Sequence, residues 1–102
     1  MQKSLSAADI ARTLSGLSLD SRVNRLVLFG SHALGTAGKR SDLDLYLDSG
    51  RQITGFDFFA LKAILEEAFR RDIDLLPDLD VVPGSEVSRE IQRHGVIVYA
   101  KG

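Results

Sequence analysis

Gly30-Ser31-His32-Ala33-Leu34-Gly35-Thr36-Ala37-Gly38-Lys39-Arg40-Ser41-Asp42-Leu43-Asp44-Leu45 is the stretch on which the reading of this chain turns. Ahead of it, Arg25 to Phe29 is rich in leucine and valine and stops at Gly30, the pattern of a buried strand. A glycine after such a strand lets the backbone turn sharply and lets another group approach it closely. Gly30 to Gly38 then reads as a turn with a short helix, whose first amides suit a phosphate. The Ser31 hydroxyl adds a further donor for a phosphate oxygen. The chain returns as a strand from Asp42 to Leu47, in which carboxylate or tyrosine alternates with leucine. The two-residue period of a strand puts Asp42, Asp44 and Tyr46 on one face and Leu43, Leu45 and Leu47 on the other.

Two carboxylates this close repel by about 4 kcal/mol at ~4 Å and an effective dielectric near 20, unless a proton or a cation lies between them. Magnesium prefers oxygen ligands and keeps places for water and substrate phosphates, so paired aspartates beside an amide-rich turn suit a metal-triphosphate site. A lone Asp-x-Asp fits a surface strand with solvated aspartates better. The preceding Gly30-Ser31 and the strand-turn-strand context tip the reading to a site.

Outward from this segment, Ser6-Ala7-Ala8-Asp9 has the form of a capping box, and Ile10, Leu14 and Leu17 continue it as a helix over residues 6 to 18. Phe56 to Arg71 carries Leu61, Ile64, Leu65, Ala68 and Phe69 at helical spacing, with Glu66, Glu67, Arg70 and Arg71 off that stripe. Asp72 to Leu76 repeats the alternation of the second strand and is ended by Pro77. Asp78 to Pro83 reads as loop, and Asp78 and Asp80 as solvated in it. Val87 and Ile91 mark a short helix that Gly95 is expected to close in a left-handed conformation, and Val96 to Tyr99 is a last strand. The predicted fold class is α/β: a mixed β-sheet with helices mainly on one face, one domain over residues 1–102.

Composition narrows the partners. Thirteen basic against fourteen acidic residues give a net charge of −1, where proteins that grip nucleic-acid backbones carry a basic excess, so direct nucleic-acid binding is disfavoured. Without cysteine, a metal must be held by oxygen or imidazole. No stretch approaches the roughly 20 apolar residues that span a bilayer, and the cytoplasm is the expected location. A chain of 102 residues has little left for a second lobe over a bound base, so nucleotide recognition is expected to be shallow or shared with a partner.

Gly30-Ser31, ten intervening residues and Asp42-Leu43-Asp44 resemble the signature of MNT-type minimal nucleotidyltransferases of the DNA polymerase beta superfamily, the antitoxins of HEPN-MNT toxin-antitoxin pairs. The resemblance covers most of the chain, including a later strand with a third carboxylate and a final helix, glycine and apolar strand like His94 to Tyr99. It implies a polymerase beta-like fold, with Gly30 and Ser31 on the triphosphate of ATP, the co-substrate. Asp42, Asp44 and a third carboxylate would hold Mg2+, that third one completing the metal site and serving as base. Within Asp72-Ile73-Asp74-Leu75 the choice falls on Asp74, followed by leucine and deeper in the strand, over Asp72 at its edge. Many relatives have arginine where Leu34 stands; Lys39 or Arg40 is a candidate substitute, against ordinary solvated loop charge.

By the same resemblance, the protein would transfer AMP to a tyrosine hydroxyl of a HEPN-type ribonuclease toxin and pair with that toxin as a hetero-oligomer. The alternatives are an antitoxin that neutralises by occlusion alone, and transfer to a small molecule such as an aminoglycoside. Related enzymes of the last kind carry an additional helical domain to enclose substrate. Among the remaining residues, His32 is expected to be an exposed turn histidine rather than a phosphate donor, and His94 to cap helix carbonyls. Tyr46 either stacks on a base or covers the sheet. Phe56, Phe58 and Phe59 cannot all face one core, which leaves an aromatic for a partner.

Overall fold

The computed structural model describes residues 5–35 and 42–101. Its elements run α1 (Ala7–Ser15), β1 (Arg25–Phe29), α2 (Ser31–Leu34), β2 (Leu43–Asp48), α3 (Gly55–Phe69), β3 (Ile73–Pro77), a 3-10 turn at Asp78–Asp80, α4 (Glu86–His94) and β4 (Val96–Ala100). Lys39 and Arg40 lie outside the described residues.

The four strands form one mixed sheet in the order β3-β2-β1-β4. β1 pairs antiparallel with β2 and with β4, while β2 pairs parallel with β3. A parallel pair needs a long crossover, and α3 supplies it. Leucines alternate onto one side of the sheet, where Leu26, Leu28, Leu43, Leu45 and Leu47 are fully buried with Ile10 and Leu14 of α1 and Leu65 of α3. Burying a leucine of this kind is worth about 1.5–3 kcal/mol, and eight such side chains fix which face of each strand is the core face.

The alternation leaves Asp44 and Tyr46 on the opposite face, as expected. α4 lies on that face too: Val27, Tyr46, Ile91 and Gly95 line one cavity between it and the sheet. Gly95 is extended, at φ −67° and ψ 143°, and not left-handed as the sequence suggests. Its role is space. A Cβ there would collide with the Ile91 carbonyl and come within 2.7 Å of Val27 Cγ1, so glycine lets α4 run directly into β4.

Boundaries shift where local bonds decide them. The Ser6–Asp9 capping box forms, but α1 stops at Ser15, because Gly16 turns there and donates to Thr13 O at 3.2 Å. α3 ends at Phe69 with Arg70 left-handed at φ 53°, its N–H donating to Glu66 O at 2.8 Å. Pro77 closes β3 as its last residue. Asp78 is no solvated loop residue: its Oδ2 accepts from Ser49 N and from Arg51 N, each at 3.0 Å, and so ties the β3 exit to the loop after β2. No described helix is long and apolar enough to cross a membrane.

Candidate functional site

The site is assembled where β1 ends, β2 begins and β3 lies alongside. Gly30 takes φ 73° and ψ −152°, a conformation open essentially to glycine alone. Its backbone lies against the Asp44 carboxylate, so closely that a Cβ would clash with Asp44 Oδ2 and reach 3.0 Å from its Cγ. The glycine therefore does two things at once: it turns the chain into α2, and it leaves room for a carboxylate beside the turn. Ser31 is the first residue of α2 and is partly exposed.

Asp44 and Asp74 are Cα partners across the parallel β2–β3 ladder, so their side chains leave the sheet together. Asp72 sits one step before β3, its carbonyl accepting from Leu43 N at 3.3 Å, and Asp42 one step before β2. Asp42, Asp72 and Asp74 are exposed and Asp44 is partly buried. The Asp44 carboxyl is pushed up to about 6 by burial first, then by the charge of Asp74, a hydrogen bond with Asp74 and the charge of Asp42. The charges of Asp74 and Asp42 are thus close enough to disfavour ionisation of Asp44.

That repulsion is what a divalent cation relieves, and the donors are all carboxylate oxygens, the hard ligands that magnesium takes. Among the described residues no three carboxylate or imidazole side chains converge into a ready cage. The arrangement suits an ion that keeps water and phosphate in its shell and takes only part of its coordination from protein.

Residues 10–102 match the family described as Polymerase beta, Nucleotidyltransferase. The chain belongs to that family. The nucleotidyltransferase is similar to a chain in a toxin-antitoxin crystal structure with AMP-PNP, at 20% identity and TM-score 0.72, covering 95% of this chain and 75% of that one. It is similar to a chain in an MntA-HpeT toxin-antitoxin structure carrying two aspartate-to-glutamate substitutions, at 18% identity and TM-score 0.70, with 95% and 75% covered. A third likeness is to a chain in the complex of a tri-AMPylated Shewanella oneidensis HEPN toxin with an MNT antitoxin, at 16% identity and TM-score 0.59, covering 80% of this chain and 60% of that one. No curated protein matches significantly in sequence. At these identities the likeness is one of fold.

Two residues of this nucleotidyltransferase support the site without standing out in its sequence. Glu66 lies on the polar side of α3, yet its Oε2 accepts from Ile73 N at 3.2 Å while pairing with Lys62 Nζ at 3.0 Å. The residue before Asp74 is thereby fastened to α3. The bond to Ile73 and the pairing with Lys62 hold the Glu66 carboxyl below its usual value. His32 is buried, only 7% exposed, which corrects the expectation of an exposed turn histidine. Arg71, arriving from the end of α3, lies 3.4 Å from His32 Nε2. Burial first, and then the Arg71 charge, lower the imidazole from its ordinary value and favour the neutral ring. Only the spacing signal of Gly30-Ser31 and Asp-x-Asp was visible locally; the His32 contact comes from a residue 39 positions away, and the Glu66 bond joins α3 to the strand that follows it.

Leu34 closes α2 half exposed, followed by Gly35 at φ 75°. Tyr46 lines the cavity under α4 beside Val27, and its hydroxyl is raised by burial, then by Asp78 and Asp48. His94, the last residue of α4, lines a second, larger cleft beside Phe29.

Proposed function

We propose that this protein transfers AMP from ATP to a tyrosine hydroxyl of a HEPN-type ribonuclease toxin, acting in the cytoplasm as one minimal domain and as that toxin's antitoxin. The observation that carries the reading is the contact of Gly30 with the Asp44 carboxylate, with Asp74 in register beside it. This contact supports reading the turn and the carboxylates as one site. The family is that of nucleotidyltransferases, and the similar structures include a toxin-antitoxin with AMP-PNP and a HEPN toxin that is AMPylated. One of them carries aspartate substitutions two positions apart, the spacing of Asp42 and Asp44.

In this reading Gly30 and Ser31 orient the triphosphate through backbone amides and the Ser31 hydroxyl. Asp42, Asp44 and Asp74 are the residues that would hold magnesium, which supplies charge neutralisation at the phosphates when bound. Asp74, the exposed member of the facing pair, takes the proton of the acceptor hydroxyl. The tyrosine oxygen bonds to the α-phosphorus, the bond from that phosphorus to the bridging oxygen breaks, and pyrophosphate leaves. The added phosphate brings negative charge where RNA phosphate would approach the toxin. Phe56 (94% exposed) and Phe59 (65%) give α3 an outward apolar surface, consistent with a protein partner.

The alternative of neutralisation by occlusion is separable. The toxin's ribonuclease activity should be silenced by an equal concentration of this protein with ATP and magnesium, and persist when ATP is omitted. Full silencing without ATP would favour occlusion.

A further inference from the structure

α2 is four residues long, bounded by Gly30 at φ 73° and Gly35 at φ 75°, and no side chain caps its start. An element this short cannot hold its own geometry, so tertiary contacts must set its place. Ser31 is partly exposed, Ala33 only partly buried against the core and Leu34 half exposed, whereas His32 is buried. Its ring meets Arg71, whose Nη1 lies 3.4 Å from Nε2, a long hydrogen bond. A guanidinium has donors and no acceptor, so Arg71 donates and Nε2 accepts, which places the proton of the neutral ring on Nδ1. Nδ1 is enclosed without a well-formed hydrogen bond among the described residues, and the Asp42 backbone draws on the ring only loosely. Arg71 is therefore the defined polar partner of the ring. It immediately precedes Asp72, whose carbonyl accepts from Leu43 N at 3.3 Å. The contact thus runs from the turn that carries Ser31 to the segment that leads into β3 and Asp74.

We propose that His32 is a positioning residue for the transfer: by accepting from Arg71 it fixes the Ser31 turn relative to the segment that carries Asp74, and it acts on the reaction through Ser31 without touching substrate. The inference rests on the nucleotidyl-transfer reading and adds a residue to it. Asp44 and Asp74 are held in register by the β2–β3 ladder. Ser31 has no such support, because the last ladder pair of β1 is Phe29 with Asp44 and the chain turns away at Gly30. Its register against the carboxylates needs a side-chain tie, and a misplacement on the order of 1 Å between reacting groups costs up to about 100-fold in rate. Leucine would fill the same buried space; what imidazole adds is a lone pair for the guanidinium.

The test is the rate of AMP transfer to a HEPN-type toxin at saturating magnesium-ATP, followed by intact mass, for variants of the full chain whose folding is checked by urea unfolding. His32→Leu keeps the volume without the acceptor, and Arg71→Met keeps the stem without the guanidinium. Each should slow transfer about tenfold, while His32→Gln, whose amide oxygen can accept from Arg71, should return to within about threefold of wild type. The double variant should be no slower than the slower single one, because both changes remove the same contact. A merely structural role would lower the urea midpoint and leave the rate of the folded protein unchanged. Wild-type rates in the folded single variants, a glutamine variant as slow as the leucine one, or a double variant slowed by the product of the two would overturn the assignment while the transfer reading stood. Arg71 is only partly buried, so its variant decides the matter even if His32→Leu does not fold. If wild type transferred no AMP, the transfer reading would fall and the role of His32 with it.

Discussion

Asp44 is the residue at which sequence and chemistry meet most closely. Its place two residues after Asp42, on the polar face of an alternating strand, was readable from periodicity alone. Its neighbour across the ladder was not, because Asp74 reaches it only through the parallel β2–β3 pairing that α3 makes possible. His32 was misread for a related reason: the group that covers it, Arg71, is 39 residues away in sequence. The elevated Asp44 carboxyl, at about 6 against 3.8 unperturbed, has a definite sign. The folded state holds the proton more tightly than the unfolded one, so this group's stabilising contribution is complete below the unfolded value and is lost as pH rises through about 6. In chelator, Asp44→Asn should therefore be more stable than wild type above about pH 7, by roughly 1 kcal/mol once solvent screening is allowed for. The advantage should vanish at about pH 3, where the folded and unfolded wild type are both protonated. Urea unfolding at both pH values checks this, and equal stability throughout would contradict a repulsive carboxylate cluster.

Elements were legible where pattern and cap agreed, and less so where an end was set by one bond. The Ser6–Asp9 box predicted the start of α1, while its end at Ser15 depended on Gly16 turning early. The apolar stripe of α3 was clear in Leu61, Leu65 and Phe69, but Ile64, on the same predicted stripe, is 49% exposed. α4 offered only Val87 and Ile91, too few to say which face of the sheet it covers, and it lies on the carboxylate side. The segment after β3 shows how an element junction depends on a distant acceptor. Asp78 receives two amides of the β2–α3 loop, and Ser49 Oγ receives those of Gln52 and Ile53 at 3.2 and 3.1 Å. Asp78→Ala should strip the acceptor from two amides and cost about 1–3 kcal/mol, lowering the urea midpoint. It should leave magnesium-dependent ATP affinity at the folded plateau unchanged. A midpoint equal to wild type would return Asp78 to the solvated loop that its sequence context suggests.

At the scale of the molecule, the two faces of one sheet differ in what they carry. Leucines and valines on one face bury α1 and α3; the other face keeps aspartates beside the Gly30 turn, with α4 standing over Phe29. The sheet's mixed pairing is what brings Asp44 and Asp74 side by side, and a purely local reading could name both without joining them. A net charge of −1 fits a protein acceptor better than a polynucleotide, and the exposed aromatics of α3 agree with that choice. The measurement that bears most directly on this account is the intact mass of a HEPN-type toxin after incubation with this protein, ATP and magnesium. Wild type should add one or more AMP units of about 329 Da, the mass of the transferred group, on a tyrosine. The variant with Asp42→Ala and Asp44→Ala should add none. An unmodified toxin with wild type, or an equally modified one with the double variant, would contradict the assignment of AMP transfer to these carboxylates.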